Sequence, residues 1–316
     1  MSRAVGTGSV RQAAERMCRF RPIDGGGFRA AVEVTRRCNL ACLHCFVPNE
    51  RQDPELGWLR EVILGLKGAG CRKLILTGGE PLLRCDLEEI VGAATAAGIG
   101  VDLNSNLFGL TPHRATGLAD AGLREVSVSF YGDRAFHDVL VRRDGAYKST
   151  MESCCHLRTR GVDLDVHGAL WDANLPLMQH MLELAESLGA ASLTFFKVIG
   201  LSGNAGNRLF GTTRFGASAA RFAPPALSDL SCCLEGLRRH GTIPIRMIGF
   251  HGTACSECEQ GRSIVGLTAS MRLLPCLLSR RQPQQQHQVD GENISRMIRV
   301  VREEVQRGLW TPVCEV

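Results

Sequence analysis

The chain has 316 residues, 44% of them hydrophobic, and a formal net charge of +5. This length can hold one large α/β domain and a small appended module. Basic residues are scattered among acidic neighbours and aromatic residues make up only 5% of the chain, so we expect neither a nucleic-acid surface nor a base-stacking platform.

The cysteine content points to a reducing compartment. Fourteen cysteines are many for this length, and in a secreted chain they would suggest disulfides. Residues 1–29 are polar and arginine-rich without an apolar signal core, and no apolar run has the length of a membrane span. We therefore expect a cytoplasmic protein with reduced thiols. Residues 1–29 are interpreted as a leader segment, for which a transit-like role stays open.

Strand and helix patterns alternate from residue 30 to about residue 200. Strands are predicted at 30–35, 73–77, 99–104, 125–130, 162–166 and 192–198, and helices at 54–69, 86–97, 112–121, 146–160 and 175–188. Successive βα units require a parallel sheet with right-handed crossovers. Six units are two short of an eight-fold barrel, so the sequence predicts an α/β fold, a partial (β/α)6 TIM-like barrel with an open lateral cleft.

The last third of the chain has a different character. Residues 203–225 are rich in glycine, alanine and proline and resemble a flexible connection, so we place the barrel core at 30–225. A small C-terminal module is expected at 226–316. It should contain a helix at 227–240, a hairpin of 263–268 and 271–274, a low-complexity loop at 280–288 and a helix from 292 to 306.

A cluster of three cysteines follows the first predicted strand. Cys38, Cys42 and Cys45 are spaced by three and then two residues. Thiolates are the usual protein ligands of iron–sulfur clusters, and three of them leave one iron of a [4Fe–4S] cluster open. A zinc site is the alternative, but His44 lies between two of the cysteines and makes a poor fourth corner of a tetrahedron.

A second motif, Thr77-Gly78-Gly79-Glu80-Pro81, ends the second predicted strand. Together, in this order, the two motifs resemble those of the radical S-adenosylmethionine (radical SAM) superfamily. The resemblance implies a partial barrel in which Cys38, Cys42 and Cys45 hold a [4Fe–4S] cluster. S-adenosylmethionine (SAM) would bind the open iron and be cleaved reductively to a 5′-deoxyadenosyl radical.

The resemblance also implies residues that hold SAM. Gly78 and Gly79 would let the backbone approach the methionine amino group, with Glu80 fixing the turn. Polar side chains at strand ends would hold the ribose and the carboxylate, and backbone near the third cysteine and on the sixth strand would contact adenine. These further candidates are His44, Asn104 with its neighbours Ser105 and Asn106, Ser127, Ser129 and Val198.

A second set of cysteines lies in the C-terminal module. Cys255, Cys258 and Cys276 resemble the ligands of the auxiliary-cluster extension called twitch, a shortened form of SPASM, and Cys314 is a candidate fourth ligand. A second [4Fe–4S] cluster is therefore expected here. A zinc knuckle is the alternative.

An auxiliary cluster would favour a two-electron oxidation of the substrate, and Tyr131, His137 and His167 are candidate catalytic side chains. Only about thirty residues precede the first strand, which favours a small polar metabolite such as a sugar or aminocyclitol. A ribosomal peptide that is crosslinked or epimerised, a dehydration, and a non-catalytic metal-binding scaffold remain alternatives. Flavodoxin or ferredoxin is the expected electron donor, and neither nucleic acid nor membrane is an expected partner.

Overall fold

The computed structural model describes residues 27–45, 47, 50–51, 53–197, 227–248, 263–277 and 287–310. The strands are β1 (Phe28–Thr35), β2 (Cys71–Gly78), β3 (Gly100–Ser105), β4 (Glu125–Ser129), β5 (Asp163–Leu170), β6 (Ser192–Lys197), β7 (Ile245–Ile248), β8 (Ile264–Leu267), β9 (Arg272–Leu274) and β10 (His287–Gln288). The helices are α1 (Leu56–Gly68), α2 (Leu87–Ala96), α3 (Pro112–Asp120), α4 (Arg134–Val141), α5 (Ala146–Arg158), α6 (Met178–Ser187), α7 (Leu227–His240) and α8 (Ile294–Gln306). Short 3-10 helices span Pro81–Leu83 and Asp172–Leu177.

The described strands form one sheet in the order β10-β9-β8-β1-β2-β3-β4-β5-β6-β7. Strands β1 to β7 run parallel, and β8 pairs parallel with β1. Strands β9 and β10 add antiparallel pairs at that end. The predicted partial barrel of alternating strands and helices is thereby confirmed, as is the predicted hairpin of β8 and β9.

Alternate residues of each strand point to opposite faces of the sheet. One set packs in the apolar core against the helices, and the other set faces the inside of the barrel. In β1, Phe28, Ala30, Val32 and Val34 belong to the main apolar core together with residues of the surrounding helices. The intervening residues of a strand point to the opposite face of the sheet, which is the inside of the barrel. Glu33 of β1 lies on this interior face and is almost fully buried.

Two elements differ from the sequence prediction. Helix α4 occupies the segment after the fourth strand, where we expected a loop. Asp133 caps this helix by accepting a hydrogen bond from the Phe136 N–H at 2.8 Å. Strand β7 is an additional parallel strand that pairs with β6 and continues the sheet beyond residue 225.

Several predicted residues fall outside the described part of the chain. These are most of the 1–29 leader, Val198, Cys255, Cys258 and Cys314. In the described part, none of the helices combines the length and apolar character that crossing a lipid bilayer requires.

Candidate active site

The cysteine loop follows β1 at the carboxyl edge of the sheet and rests on helix α4. The Ala41 N–H donates to the Val141 carbonyl at 3.2 Å, and the Leu43 N–H donates to the Leu140 carbonyl at 2.9 Å. The buried Leu40 belongs to a second apolar cluster that includes residues of α4. The last turn of α4 therefore fixes the backbone that carries the three thiols.

The three thiols differ in their exposure to solvent. Cys38 and Cys42 are half-buried and pack against the second apolar cluster, whereas Cys45 is exposed. Burial raises the pKa of Cys42, and the neighbouring charges of Cys45 and Cys38 raise it further. Sulfurs this close repel each other as thiolates, so a bound cation is needed to hold them deprotonated.

The donor set fits an iron–sulfur cluster better than a single ion. Among the described residues, no three His, Cys, Asp or Glu side chains are placed to hold one metal ion. In a cluster each thiolate binds its own iron, so the thiols need not converge on one point. His44 is half-buried, and burial of its ring lowers its pKa to about 4, so the ring is neutral at neutral pH.

The Gly-Gly-Glu turn is hydrogen-bonded directly to the segment that enters the cysteine loop. The Gly79 N–H donates to the Thr35 carbonyl at 2.9 Å, and the Glu80 N–H donates to the Arg37 carbonyl at 2.7 Å. A Cβ at Gly78, whose φ is +141°, would lie 2.0 Å from the Thr35 oxygen, and one at Gly79 would lie 2.2 Å from the Arg37 oxygen. The two glycines therefore permit close packing of backbone on backbone, a role that the sequence did not suggest.

Glu80 connects this turn to the end of β3. Its fully buried carboxylate accepts hydrogen bonds from the Ser105 hydroxyl at 2.7 Å, the Leu82 N–H at 3.0 Å and the Asn106 N–H at 2.7 Å. Burial raises the pKa of Glu80, while these hydrogen bonds act in the opposite direction. The expectation that Glu80 fixes the turn agrees with these contacts.

Asn106, directly after β3, extends the network to the cysteines. Its amide Nδ2 donates to the Asn39 Oδ1 at 3.0 Å and lies 4.0 Å from the Cys38 sulfur. The predicted residue Asn104 lies two positions earlier on β3, paired in register with Ser127. Asn106 belongs to the predicted polar stretch Asn104-Ser105-Asn106 at the carboxyl end of the third strand, the edge at which parallel α/β folds bind their ligands.

Aromatic rings enclose the loop on the side of α4. The His44 ring lies edge-on to Tyr131 with centroids 4.7 Å apart and stacks on Trp171 at 6.0 Å. Tyr131 stacks in turn on His137 at 5.7 Å. Burial lowers the pKa of His137 to about 4, with Asp138 acting in the opposite direction, so this ring is neutral as well. Trp171, which follows β5, was missed by the sequence analysis.

The remaining predicted residues lie on the interior face of the barrel. Ser129 of β4 pairs in register with His167 of β5, and Ser127 pairs with Asp165 one level deeper. A hydrogen bond from Ser129 acts to lower the pKa of Tyr131, but burial and the neighbouring Cys42 raise that pKa well above its ordinary value. The structure thus brings Tyr131 and Ser129 near the cysteines and places His167 beside Ser129.

Cys276 is the one predicted auxiliary ligand in the described part of the chain, and it is half-buried just after β9. The chain here crosses close over β8, because a Cβ at Gly266 would lie 2.5 Å from the Leu277 nitrogen. Gly266 pairs in register with Ala31 of β1 and shares its interior face. Cys276 therefore lies at the side of the barrel that adjoins β1.

The curated proteins similar to this chain include AdoMet-dependent heme synthases and PqqA peptide cyclases. The AdoMet-dependent heme synthase of Oleidesulfovibrio alaskensis is 33% identical over 175 residues, which cover 54% of this chain and 45% of that protein. The PqqA peptide cyclase of Rhodopseudomonas palustris is 28% identical over 257 residues, which cover 78% of this chain and 66% of that protein. The chain thus spans about half the length of the heme synthase and somewhat more of the cyclase.

Solved structures with the same fold are more distant in sequence. Streptococcus suis SuiB bound to precursor peptide SuiA has a TM-score of 0.68 at 13% identity, covering 89% of this chain and 66% of that one. Native anSMEcpe with bound AdoMet has a TM-score of 0.58 at 14% identity, covering 78% and 74%. The profile of the radical SAM superfamily matches residues 32–170, which include both motifs and the strands that carry them. Residues 32–170 of this chain therefore form a region of the radical SAM superfamily.

Proposed function

We propose that this chain binds a [4Fe–4S] cluster through Cys38, Cys42 and Cys45 and uses it to cleave SAM. When bound, the cluster supplies the electron that splits SAM into methionine and a 5′-deoxyadenosyl radical, which takes a hydrogen atom from the substrate. The observation that carries the proposal is the pair of backbone hydrogen bonds that join the Gly-Gly-Glu turn to the entry of the cysteine loop.

The residues of the chain would orient the reactants and exclude water. Glu80 and Asn106 hold the turn and the loop in one arrangement. The rings of His44, Tyr131 and Trp171 enclose the loop, and such a low-dielectric wall protects a reactive intermediate from solvent. For SAM itself we retain Gly78, Gly79, Glu80, His44, Asn104, Ser127, Ser129 and Val198 as the proposed contacts.

We further propose a second [4Fe–4S] cluster on Cys255, Cys258, Cys276 and Cys314. The position of Cys276 beside β1, next to the barrel interior, supports this assignment. Such a cluster would accept one electron from the substrate after hydrogen abstraction, giving a net two-electron oxidation. The substrate would be a small polar metabolite, the electron donor a flavodoxin or ferredoxin, and the setting the cytoplasm.

A peptide substrate is the second candidate, and the comparisons favour it specifically. The match to a PqqA peptide cyclase covers 78% of this chain, and SuiB, which shares the fold, is solved with its precursor peptide. Epimerisation and dehydration remain alternative outcomes of the same radical chemistry.

Anaerobic reconstitution tests the proposal. Two cubane clusters predict about eight iron and eight sulfide per chain, together with 5′-deoxyadenosine when dithionite and SAM are added. About four iron per chain would remove the auxiliary cluster. Bound zinc without SAM cleavage would overturn the whole proposal and favour a metal-binding scaffold.

A further inference from the structure

A layer of polar side chains crosses the interior of the barrel below the cysteine loop. We call Asp102, Ser127, Asp165, His167 and Arg246 the interior polar layer. Their sequence neighbours on the strands belong to the apolar core, so the layer itself faces the inside of the barrel. Asp102, Ser127 and Asp165 are buried, while the side chains of Arg246 and His167 are 18% and 21% exposed.

Asp165 is held from three strands at once. Its Oδ2 lies 2.9 Å from the Arg246 Nη1 and 3.4 Å from the His167 Nε2, and its Oδ1 accepts a hydrogen bond from the Thr194 hydroxyl at 3.2 Å. Burial acts to raise the pKa of Asp165, but the hydrogen bond and charge of His167, with Arg246, lower it below its ordinary value. Asp165 is therefore a buried anion that fixes the ring of His167.

The orientation of His167 leaves one ring nitrogen for a ligand. Nε2 faces Asp165, and the ring lies edge-on to Phe196 with centroids 5.0 Å apart. Among the described residues, none forms a hydrogen bond with the Nδ1 atom of His167. A side chain fixed by a charged partner and partly exposed to an interior cleft is arranged to contact a bound molecule.

Asp102 contrasts with Asp165 because its contacts are long. Both of its carboxylate oxygens lie 3.4 Å from the Ser127 hydroxyl, and its Oδ2 lies 3.9 Å from the Lys73 Nζ, which is 2.5 Å from the Glu125 carboxylate instead. Buried carboxyl groups are normally satisfied by short hydrogen bonds. Asp102 therefore retains the capacity to accept a further hydrogen bond from an amine or hydroxyl.

The layer contains two acidic side chains, two basic side chains and one hydroxyl group. The numbers of acidic and basic side chains are therefore equal. This pattern complements a small molecule that carries both hydroxyl and amino groups. An apolar planar ring would leave the layer's polar groups unsatisfied, and a phosphate would meet Asp102 and Asp165. Resting on the proposed function, we infer that the interior polar layer is the substrate-binding floor for an amino-polyol, and that Asp165 is the positioning residue for His167.

The test uses the reconstituted holoenzyme with SAM and three probes observed by saturation-transfer NMR. The probes are glucosamine, cyclohexanol as a ring with a single hydroxyl and no amino group, and the tripeptide Gly-Ser-Gly. Glucosamine should bind and cyclohexanol should not. Asp165→Asn and His167→Gln should each weaken glucosamine binding about tenfold, because each removes a hydrogen bond that involves a charged group.

Asp163→Asn is the matched control, because it makes the same change two residues earlier on the same face of β5. Its side chain is 67% exposed and lies 3.6 Å from Arg158. Glucosamine binding should be unchanged in this variant. Binding of cyclohexanol or of the tripeptide alone would overturn the inference, as would equal weakening by Asp163→Asn and Asp165→Asn.

Two further readouts separate positioning from a purely structural role. In Asp163→Asn, 5′-deoxyadenosine formation with dithionite should stay at the wild-type rate, since its exposed side chain lies outside the interior polar layer. If wild-type protein forms no 5′-deoxyadenosine, the proposed function is wrong. Normal formation of 5′-deoxyadenosine without glucosamine binding would contradict only this inference.

Selective 15N-histidine NMR should show the Nε2-protonated form of His167 in wild type and its loss in Asp165→Asn. Arg246→Lys, which preserves the charge beside Asp165, should retain it.

Discussion

Glu80 at the carboxyl edge of the sheet and Asp102 in the interior polar layer below it are both buried carboxyl groups, but they differ in how well they are hydrogen-bonded. At the edge, Glu80 accepts three hydrogen bonds of 2.7 to 3.0 Å. In the layer, Asp102 makes contacts of 3.4 and 3.9 Å only. The comparison suggests that the chemistry shared with the superfamily is held by a closed network, while the part proposed to meet the substrate keeps unused hydrogen-bonding capacity.

The largest effect is expected at the edge, from Cys42→Ala. Losing one of three thiols should remove about half of the brown colour, because the proposed auxiliary cluster stays, and should reduce 5′-deoxyadenosine to background. Absorbance and chromatography of the product measure the two effects. Cys155→Ala, an exposed cysteine on α5, is the control and should change neither. Retention of the full wild-type colour and of the product in Cys42→Ala would show that this sulfur is not a ligand.

Gly78→Ala tests the close packing of the turn on the cysteine loop. The new Cβ would overlap the Thr35 oxygen at 2.0 Å, and φ of +141° is strained for alanine. We expect a loss of about 3 kcal/mol or more in the free energy of unfolding, measured by urea denaturation. In Gly92→Ala on α2, where nothing lies within 4 Å, the change should instead stabilise by up to about 1 kcal/mol. Similar effects at the two positions would contradict the close-packing argument.

Glu80→Ala tests the closed network itself. The hydroxyl of Ser105 and the N–H groups of Leu82 and Asn106 would lose their buried acceptor, at a cost of about 2–3 kcal/mol in the free energy of unfolding. SAM cleavage should also slow, because Asn106 no longer holds the cysteine loop through Asn39. Glu80→Gln keeps one acceptor oxygen and should lose less stability. A neutral result for Glu80→Ala would mean that the network adds nothing to the fold.

The smallest effect is expected in the interior layer, from Asp102→Asn. Burial raises the pKa of Asp102 to about 6, with Lys73 and His167 acting to lower it and Glu125 and Asp165 to raise it. Between pH 5 and pH 7 the unfolded carboxyl is already ionised, whereas the folded one still has to release its proton, so wild-type stability falls as the pH rises. The fall attributable to this group is about 1.4 kcal/mol, and Asp102→Asn should lack it.

Urea denaturation at pH 5 and pH 7 measures this difference between the variant and wild type. The exposed Asp163→Asn should follow the wild-type pH dependence. A pH dependence in Asp102→Asn equal to that of wild type would show that Asp102 does not carry a raised pKa.

The features identified from the sequence are those that depend on residues close together in the chain. The three cysteines and Gly78-Gly79-Glu80 are read directly from neighbouring residues, and the alternation of apolar residues indicated the first six strands. Helix α4 was missed because its eight residues, Arg134–Val141, are too few to establish a helical period. Strand β7 has four residues and lacks the length of a clear pattern.

Contacts between separate strands were beyond the sequence. Asn106 meets Asn39 across the sheet edge, and Trp171 reaches His44 from the end of β5. Arg246 meets Asp165 only because β7 pairs with β6, which places residues 81 positions apart side by side. Such pairs depend on the order of strands in the sheet, and no pattern within either segment specifies it.

The pairing of β8 with β1 has a consequence for how the chain is synthesised. The Ala269 N–H donates to the Glu33 carboxylate, 236 residues earlier in the chain. Until the ribosome has delivered β8, one edge of β1 stays without its neighbour, and an unpaired strand edge favours aggregation. Strand β1, which leads into the cysteine loop, therefore gains its second neighbour only late in synthesis. An iron–sulfur centre that assembled on a nascent chain would form before β8 has paired with β1.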